Sequence, residues 1–210
     1  MAVGDAPGNE IGLRFGPIGE AWLHVCVDMQ RMFAEATPWT AAWMPRVLPN
    51  VVRLVERGPE HTLFTRFVPP PSADDAGGTW HRYYLRWPMM TLEQLEPGLL
   101  ELVPELAAFA PPARVLDKRV YSPWFEGRLA GVLGELAVDT LIVSGTETEV
   151  CVLATVLGAI DHGYRVIVVT DAICSSADPT HDAMLGIYQS RFGMQVETIE
   201  TMDLLGQLKP

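Results

Sequence analysis

The chain has 210 residues, 49% hydrophobic and 20% charged, a composition that suits one globular domain over residues 1–210. Its formal net charge of −11 argues against general nucleic-acid binding, which needs a basic surface. No apolar run approaches the ~20 residues of a membrane span, and Met1 to Glu20, an N-terminal extension, lacks the basic start and apolar core of a signal peptide.

In chain order, Ala21 to Val27 (A-W-L-H-V-C-V) reads as the first strand, with Asp28 at its carboxyl end. Open α/β sheets place their ligands at such ends, although an aspartate there also serves as a cap. Thr40 to Arg57 carries apolar residues at helical intervals and ends at Gly58. His61 to Val68 reads as the second strand. Residues 69–112 form an excursion, opening with three prolines and holding the aromatic-dense stretch Trp80 to Trp87. Such a patch is expected as a lid, as a subunit contact or as a satellite cluster under a loop.

Arg114 to Leu116 is a third short strand, followed by Asp117 and Lys118. Phe125 to Leu136 reads as a helix, and Thr140 to Val143 as the fourth strand. Arg165 to Val169 is the fifth strand. A helix follows to about Arg191, with Asp178 as its cap and Pro179 in its first turn. Gln195 to Ile199 is the last strand. This alternation predicts a three-layer αβα sandwich with a mostly parallel, six-stranded, Rossmann-like sheet.

The chemistry concentrates in Leu141 to Val152, L-I-V-S-G-T-E-T-E-V-C-V. A buried strand breaks at Ser144-Gly145-Thr146, and a helix is expected from Val150, with Cys151 in its first turn. Unpaired N–H groups at a helix start favour a thiolate and can hold a developing oxyanion. Cys151 is thus a candidate nucleophile, with a buried structural cysteine as the alternative. Cys26, inside the first strand, reads as core. Cys174 follows the fifth strand and could approach the same edge. Three cysteines, an odd number without metal-type spacing, point to a reducing cytoplasm. Asp28, Lys118 and Cys151 each follow a different strand, so one sheet edge could gather them.

Four segments together resemble the isochorismatase-like cysteine hydrolases, a superfamily that includes nicotinamidases and N-carbamoylsarcosine amidohydrolases. They are Val25 to Phe33 with D-M-Q, Lys118 with Tyr121 to Phe125 (Y-S-P-W-F), Ser144 to Val152, and Gly163 to Ala172 continuing to His181-Asp182-Ala183. The resemblance implies Cys151 as nucleophile, Asp28 as general base and Lys118 as the cation that keeps Asp28 ionised. It implies an oxyanion hole from the backbone N–H groups of Glu147 and Cys151, with a cis peptide at Thr146–Glu147. It also makes Phe33 a pocket aromatic, and Trp80, Tyr84, Tyr121 and Phe125 are expected around the same pocket.

One departure bears on the substrate. Nicotinamidases of this superfamily carry a metal-binding Asp-x-His after the second strand, where this chain reads Thr65 to Pro71, T-R-F-V-P-P-P. No metal and no cofactor are therefore expected. The leading expectation is a metal-independent hydrolase that cleaves a C–N bond of a small amide or ureide through a Cys thioester. A vinyl ether hydrolase of the isochorismatase type and a non-catalytic binding protein on the same fold are the alternatives. A small-molecule substrate, no nucleic acid, no membrane and a homo-oligomer, dimer or tetramer, complete the expectation.

Overall fold

The computed structural model describes residues 12–208. Six strands carry the sheet: β1 (Trp22–Val27), β2 (Thr62–Phe67), β3 (Arg114–Lys118), β4 (Thr140–Thr146), β5 (Arg165–Cys174) and β6 (Val196–Ile199). All pairs are parallel, in the order β3-β2-β1-β4-β5-β6. The chain winds outward one way from β1 and the other way from β4. The crevice between the carboxyl ends of these two strands is therefore the topological switch point, where open α/β sheets bind ligands.

The helices are α1 (Arg31–Ala34), α2 (Met44–Arg57), α3 (Thr79–Arg86), α4 (Pro104–Ala107), α5 (Arg128–Leu136), α6 (Leu153–Asp161), α7 (Asp178–Ser190) and α8 (Thr201–Gln207). Strand alternation divides the core in two. Leu23, Val25 and Val27 of β1 face Leu129 of α5, Val156 of α6 and Tyr188 of α7. Cys26, Ile142 and Ile167 face the other way, toward Met44, Val51 and Leu54 of α2 and Leu204 of α8. This is the predicted three-layer sandwich.

Several boundaries differ from the sequence reading. β4 runs on to Thr146 and β5 to Cys174, because strands paired on both sides keep small and polar residues in the ladder. Cys174 is thus inside the fifth strand. The helix read from Thr40 starts only at Met44, and the Thr40 hydroxyl donates to the Thr37 carbonyl in a turn. α5 starts at Arg128, since Glu126 and Gly127 take left-handed φ values of 59° and 71° and interrupt the helix read from Phe125. Asp178 is the first helical residue of α7 and Ala177 the cap, with no side-chain capping bond.

Of the N-terminal extension, residues 1–11 lie outside the described residues. Gly12, Arg14 and Phe15 lie along β6, which covers an otherwise open sheet edge. No helix among the described residues is long and apolar enough to cross a membrane.

Candidate active site

Asp28 closes β1 in a left-handed backbone conformation, φ 50°, which aspartate tolerates better than most residues. Its backbone N–H and side chain both bond to Thr65 of β2, with Thr65 Oγ1 donating to Asp28 Oδ1 at 2.6 Å. Lys118 reaches over from β3, two strands away. Its Nζ lies 5.1 Å from the centre of the Phe67 ring and donates to Asp28 Oδ2 at 2.6 Å. Both side chains are buried. Burial alone would lower the Lys118 pKa; the Asp28 carboxylate and Cys151 outweigh it, and the net shift is upward.

Cys151 arrives from the other side of the switch point. Gly145, at the end of β4, is paired with Val27, and a Cβ there would lie 2.1 Å from the Val27 carbonyl oxygen. With φ at 111°, the position suits only glycine, and this close approach brings the β4 end against Asp28. A cis peptide joins Thr146 to Glu147. The chain then makes a π turn, Thr148–Val152, before α6, in place of the regular first turn expected from Val150. The N–H groups of Val150 and Val152 both donate to the Glu147 carbonyl. Hydroxyls satisfy the carbonyls of this wide turn: Tyr188 donates to Thr148 and Thr155 to Cys151. π turns of this kind recur at functional sites.

The charges of Asp28 and Lys118 both bear on the Cys151 thiol. The three residues singled out in the sequence do meet at one edge. The state of the thiol is a correction, however. Burial raises the Cys151 pKa, Lys118 lowers it and Asp28 raises it, and the net shift is strongly upward. The lysine and the helix start do not by themselves make a standing thiolate, because the site is too dry for an extra negative charge. The other cysteines are raised to about 12, each mainly by burial.

Cys151 lines a cleft of about 230 Å³. Its walls are Phe33, Pro38, Trp39, Phe67, Tyr83, Trp87 and Tyr121, with Glu147, Val150 and Ser176. Phe33 and Tyr121 stand where the sequence reading put them. Trp80, Tyr84 and Phe125 do not. Trp80 and Tyr84 line a neighbouring cavity with Pro70, Pro71 and Arg119. They back the cleft wall, the Trp80 ring centre lying 4.7 Å from that of Tyr121 and 6.2 Å from that of Phe67, both pairs tilted. Phe125 is exposed and lines a separate groove with Arg119 and Arg128. The physical reason is helical phase. Trp80 and Tyr84 are four residues apart on one face of α3, while Tyr83 and Trp87 follow the adjacent face that meets the cleft. Tyr83 and Trp87 fall within the Trp80–Trp87 stretch expected as a lid but were not singled out, and Trp39 was not identified from sequence; the i, i+4 aromatic pairs were the available signal. Cys174 lines a different cavity, with Trp43, Asp178 and His181.

Among the described residues, no group of three or more His, Cys, Asp or Glu side chains is placed to hold a metal ion. Within β2, Thr65 is bonded to Asp28, and Arg66 pairs with Asp117 and Glu101.

An isochorismatase domain model matches residues 23–200. A maleamate amidohydrolase from Pseudomonas putida is 31% identical over 184 residues, covering 81% of this chain and 82% of that protein. The fold is shared with a cysteine hydrolase from Pseudomonas syringae pv. phaseolicola, at a TM-score of 0.77 and 22% identity over 91% of this chain and 94% of the other. It is also shared with an N-carbamoylsarcosine amidase from Thermoplasma acidophilum, at a TM-score of 0.69 and 19% identity over 86% and 96% of the two chains. The switch-point crevice, the Asp28–Lys118–Cys151 cluster and a match spanning nearly the whole sheet agree, and the chain belongs to the isochorismatase family.

Proposed function

We propose that the chain is a cysteine amidohydrolase that cleaves a C–N bond of a small amide or ureide, with Cys151 as nucleophile and no metal in the reaction. The observation that carries this reading is the buried Asp28–Lys118 pair, 2.6 Å apart, whose charges bear on a thiol lining a cleft. The amidohydrolase among its relatives supports the class of bond.

The raised thiol pKa defines the first step. Cys151 is protonated at rest, so attack needs a base in contact with the sulfur, and Asp28 is that base. Asp28 takes the thiol proton as sulfur bonds to the substrate carbonyl carbon, and the carbonyl π electrons move to oxygen. The backbone N–H groups of Glu147 and Cys151 are the proposed donors to that oxyanion. Collapse of the intermediate breaks the C–N bond while protonated Asp28 gives its proton to the leaving nitrogen. Water then attacks the thioester, Asp28 takes its proton, and the thiol leaves with that proton restored. Lys118, bonded to the Asp28 carboxylate, offsets negative charge on sulfur.

Vinyl ether cleavage has no need of a nucleophilic thiol, and a binding protein has no need of the complete cluster. Metal independence rests on the donor set: Thr65 to Pro71, T-R-F-V-P-P-P, offers no carboxylate or imidazole, and Thr65 and Arg66 are committed to other partners. Ammonia release from a panel of small amides and ureides tests the reading. Wild-type protein is expected to release ammonia after dialysis against a chelator, and Cys151→Ala to release none. Turnover by Cys151→Ala, or activity restored only by added zinc, manganese or iron, would refute it.

A further inference from the structure

The cleft is unusual in what its walls leave out. Six aromatic rings line it: Phe33, Trp39, Phe67, Tyr83, Trp87 and Tyr121. Trp39 sits among them, its centre 6.2 Å from Phe33, 6.0 Å from Phe67 and 5.8 Å from Tyr83. No arginine, lysine or histidine of the described residues lines the cleft. The nearby ammonium of Lys118 is already committed to Asp28, 2.6 Å away. The one charged side chain in the lining is Glu147, half-buried, whose Oε1 accepts the Ser176 N–H at 3.2 Å. No lysine, arginine or histidine of the described residues forms an ion pair with it.

Resting on the amidohydrolase reading above, we propose that the substrate is a cationic amide, whose acyl part carries an ammonium boxed by these rings and facing the Glu147 carboxylate. Aromatic faces attract a desolvated cation through the ring quadrupole, and aromatic cages of this kind recognise quaternary ammonium groups. The Phe67 ring already meets a cation on this principle, the Lys118 ammonium at 5.1 Å. A carboxylate-bearing amide would lose its hydration in this cleft, meet no cation and face Glu147. Burial of an unpaired charge on those terms is prohibitive. The chain's net charge of −11 adds repulsion of anions during approach. The relative from Pseudomonas putida is named for maleamate, an anionic amide, so the inference separates this chain's substrate class from that one. The cavity of about 230 Å³ limits the substrate to a small molecule.

Three amides of similar size test the charge. They are trimethylammonioacetamide, its uncharged isostere 3,3-dimethylbutanamide, and the anion malonamate, with maleamate as a further anionic arm. The expected kcat/KM is about tenfold or more higher for the cation than for its isostere, with no turnover of the anions. Glu147→Gln keeps the backbone N–H and is expected to shrink the cation-to-isostere ratio by about tenfold. Trp87→Leu, at the other wall, is expected to raise KM for the cation more than for the isostere. An anionic or neutral amide as the best substrate, or a ratio unmoved in Glu147→Gln, would overturn the inference and leave the amidohydrolase reading standing. If no amide releases ammonia, the amidohydrolase reading fails, and binding to Cys151→Ala decides the inference alone. Saturable quenching of tryptophan fluorescence by tetramethylammonium, weakened by Glu147→Gln, upholds it; no quenching, or quenching by acetate instead, overturns it.

Discussion

Two carboxylates of this sheet are fully buried and each is paired with a cation, yet they do different work. Glu197, on edge strand β6, accepts four donated bonds. Arg165 donates to both its oxygens, at 2.7 and 3.2 Å, and the backbone N–H groups of Arg14 and Phe15 donate to Oε1 as well. These bonds fasten the residues before β1 to the sheet edge. Asp28, at the switch point, receives one bond from Thr65 and one from Lys118, and its remaining neighbour is the Cys151 thiol. A planar guanidinium fork engages both oxygens of a carboxylate at once, whereas a single ammonium engages one. In the proposed mechanism the arrangement of donors, rather than burial, separates the fastening from the base.

The largest expected effect breaks that comparison at Asp28. Asp28→Asn keeps the shape and removes the proton acceptor, so kcat/KM is expected to fall by about 10³-fold or more in an ammonia-release assay. Thermal unfolding would show whether the variant remains folded. Glu197→Gln is expected to do the reverse. Breaking one half of a buried, bonded pair costs about 3–5 kcal/mol, read as a lower denaturant midpoint, with activity of the folded fraction close to wild type. Loss of turnover in folded Glu197→Gln would show that the two carboxylates are not divided in this way.

His24 sharpens the comparison as a buried group with no opposite charge beside it. Its Nε2 lies 2.7 Å from Ser144 Oγ, and burial lowers its pKa from 6.5 to about 3. The folded state therefore holds a neutral imidazole, while the unfolded chain takes up a proton below pH 6.5. Stability is fully present above 6.5 and falls as the pH drops toward 3, by on the order of 3 kcal/mol between pH 7 and pH 4. Urea titrations across that range should show a shallower acid limb for His24→Leu than for wild type.

The smallest effect is the rate of Cys151 alkylation. Lys118 lowers the thiol pKa and Asp28 raises it. Lys118→Met is expected to slow iodoacetamide labelling of Cys151 by about tenfold at neutral pH, and Asp28→Asn to leave it unslowed or faster. Peptide mapping should find Cys151 ahead of Cys26 and Cys174, because only Cys151 opens into the aromatic cleft. Equal labelling of all three would make Cys151 an ordinary core thiol.

Much of this was legible in the sequence for a plain reason. β-Branched runs alternating with helical periods mark six strands, and a polar residue immediately after such a run falls on the functional edge of a parallel sheet. Asp28 and Lys118 were found at strand ends in that way, and Cys151 by its place at the start of the helix after the fourth strand. What depends on distant partners was not legible. The π turn at Cys151 rests on hydroxyls from Thr155 and Tyr188, and Tyr188 lies in another helix. The rotation of α3, which sends Tyr83 and Trp87 to the cleft and Trp80 and Tyr84 behind it, is set by packing against Phe67, Trp39 and Tyr121. The charge state of Cys151 depends on the depth of the cleft, and no local pattern records that depth.

The central claim is that Cys151 becomes covalently attached to the acyl group with Asp28 as its base. Rapid acid quenching of the protein with a turned-over amide, followed by peptide mass mapping, tests it most directly. The account predicts an acyl mass added to the peptide bearing Cys151 in wild type, absent from Asp28→Asn. An adduct on Cys174, or an equal adduct in Asp28→Asn, would contradict it.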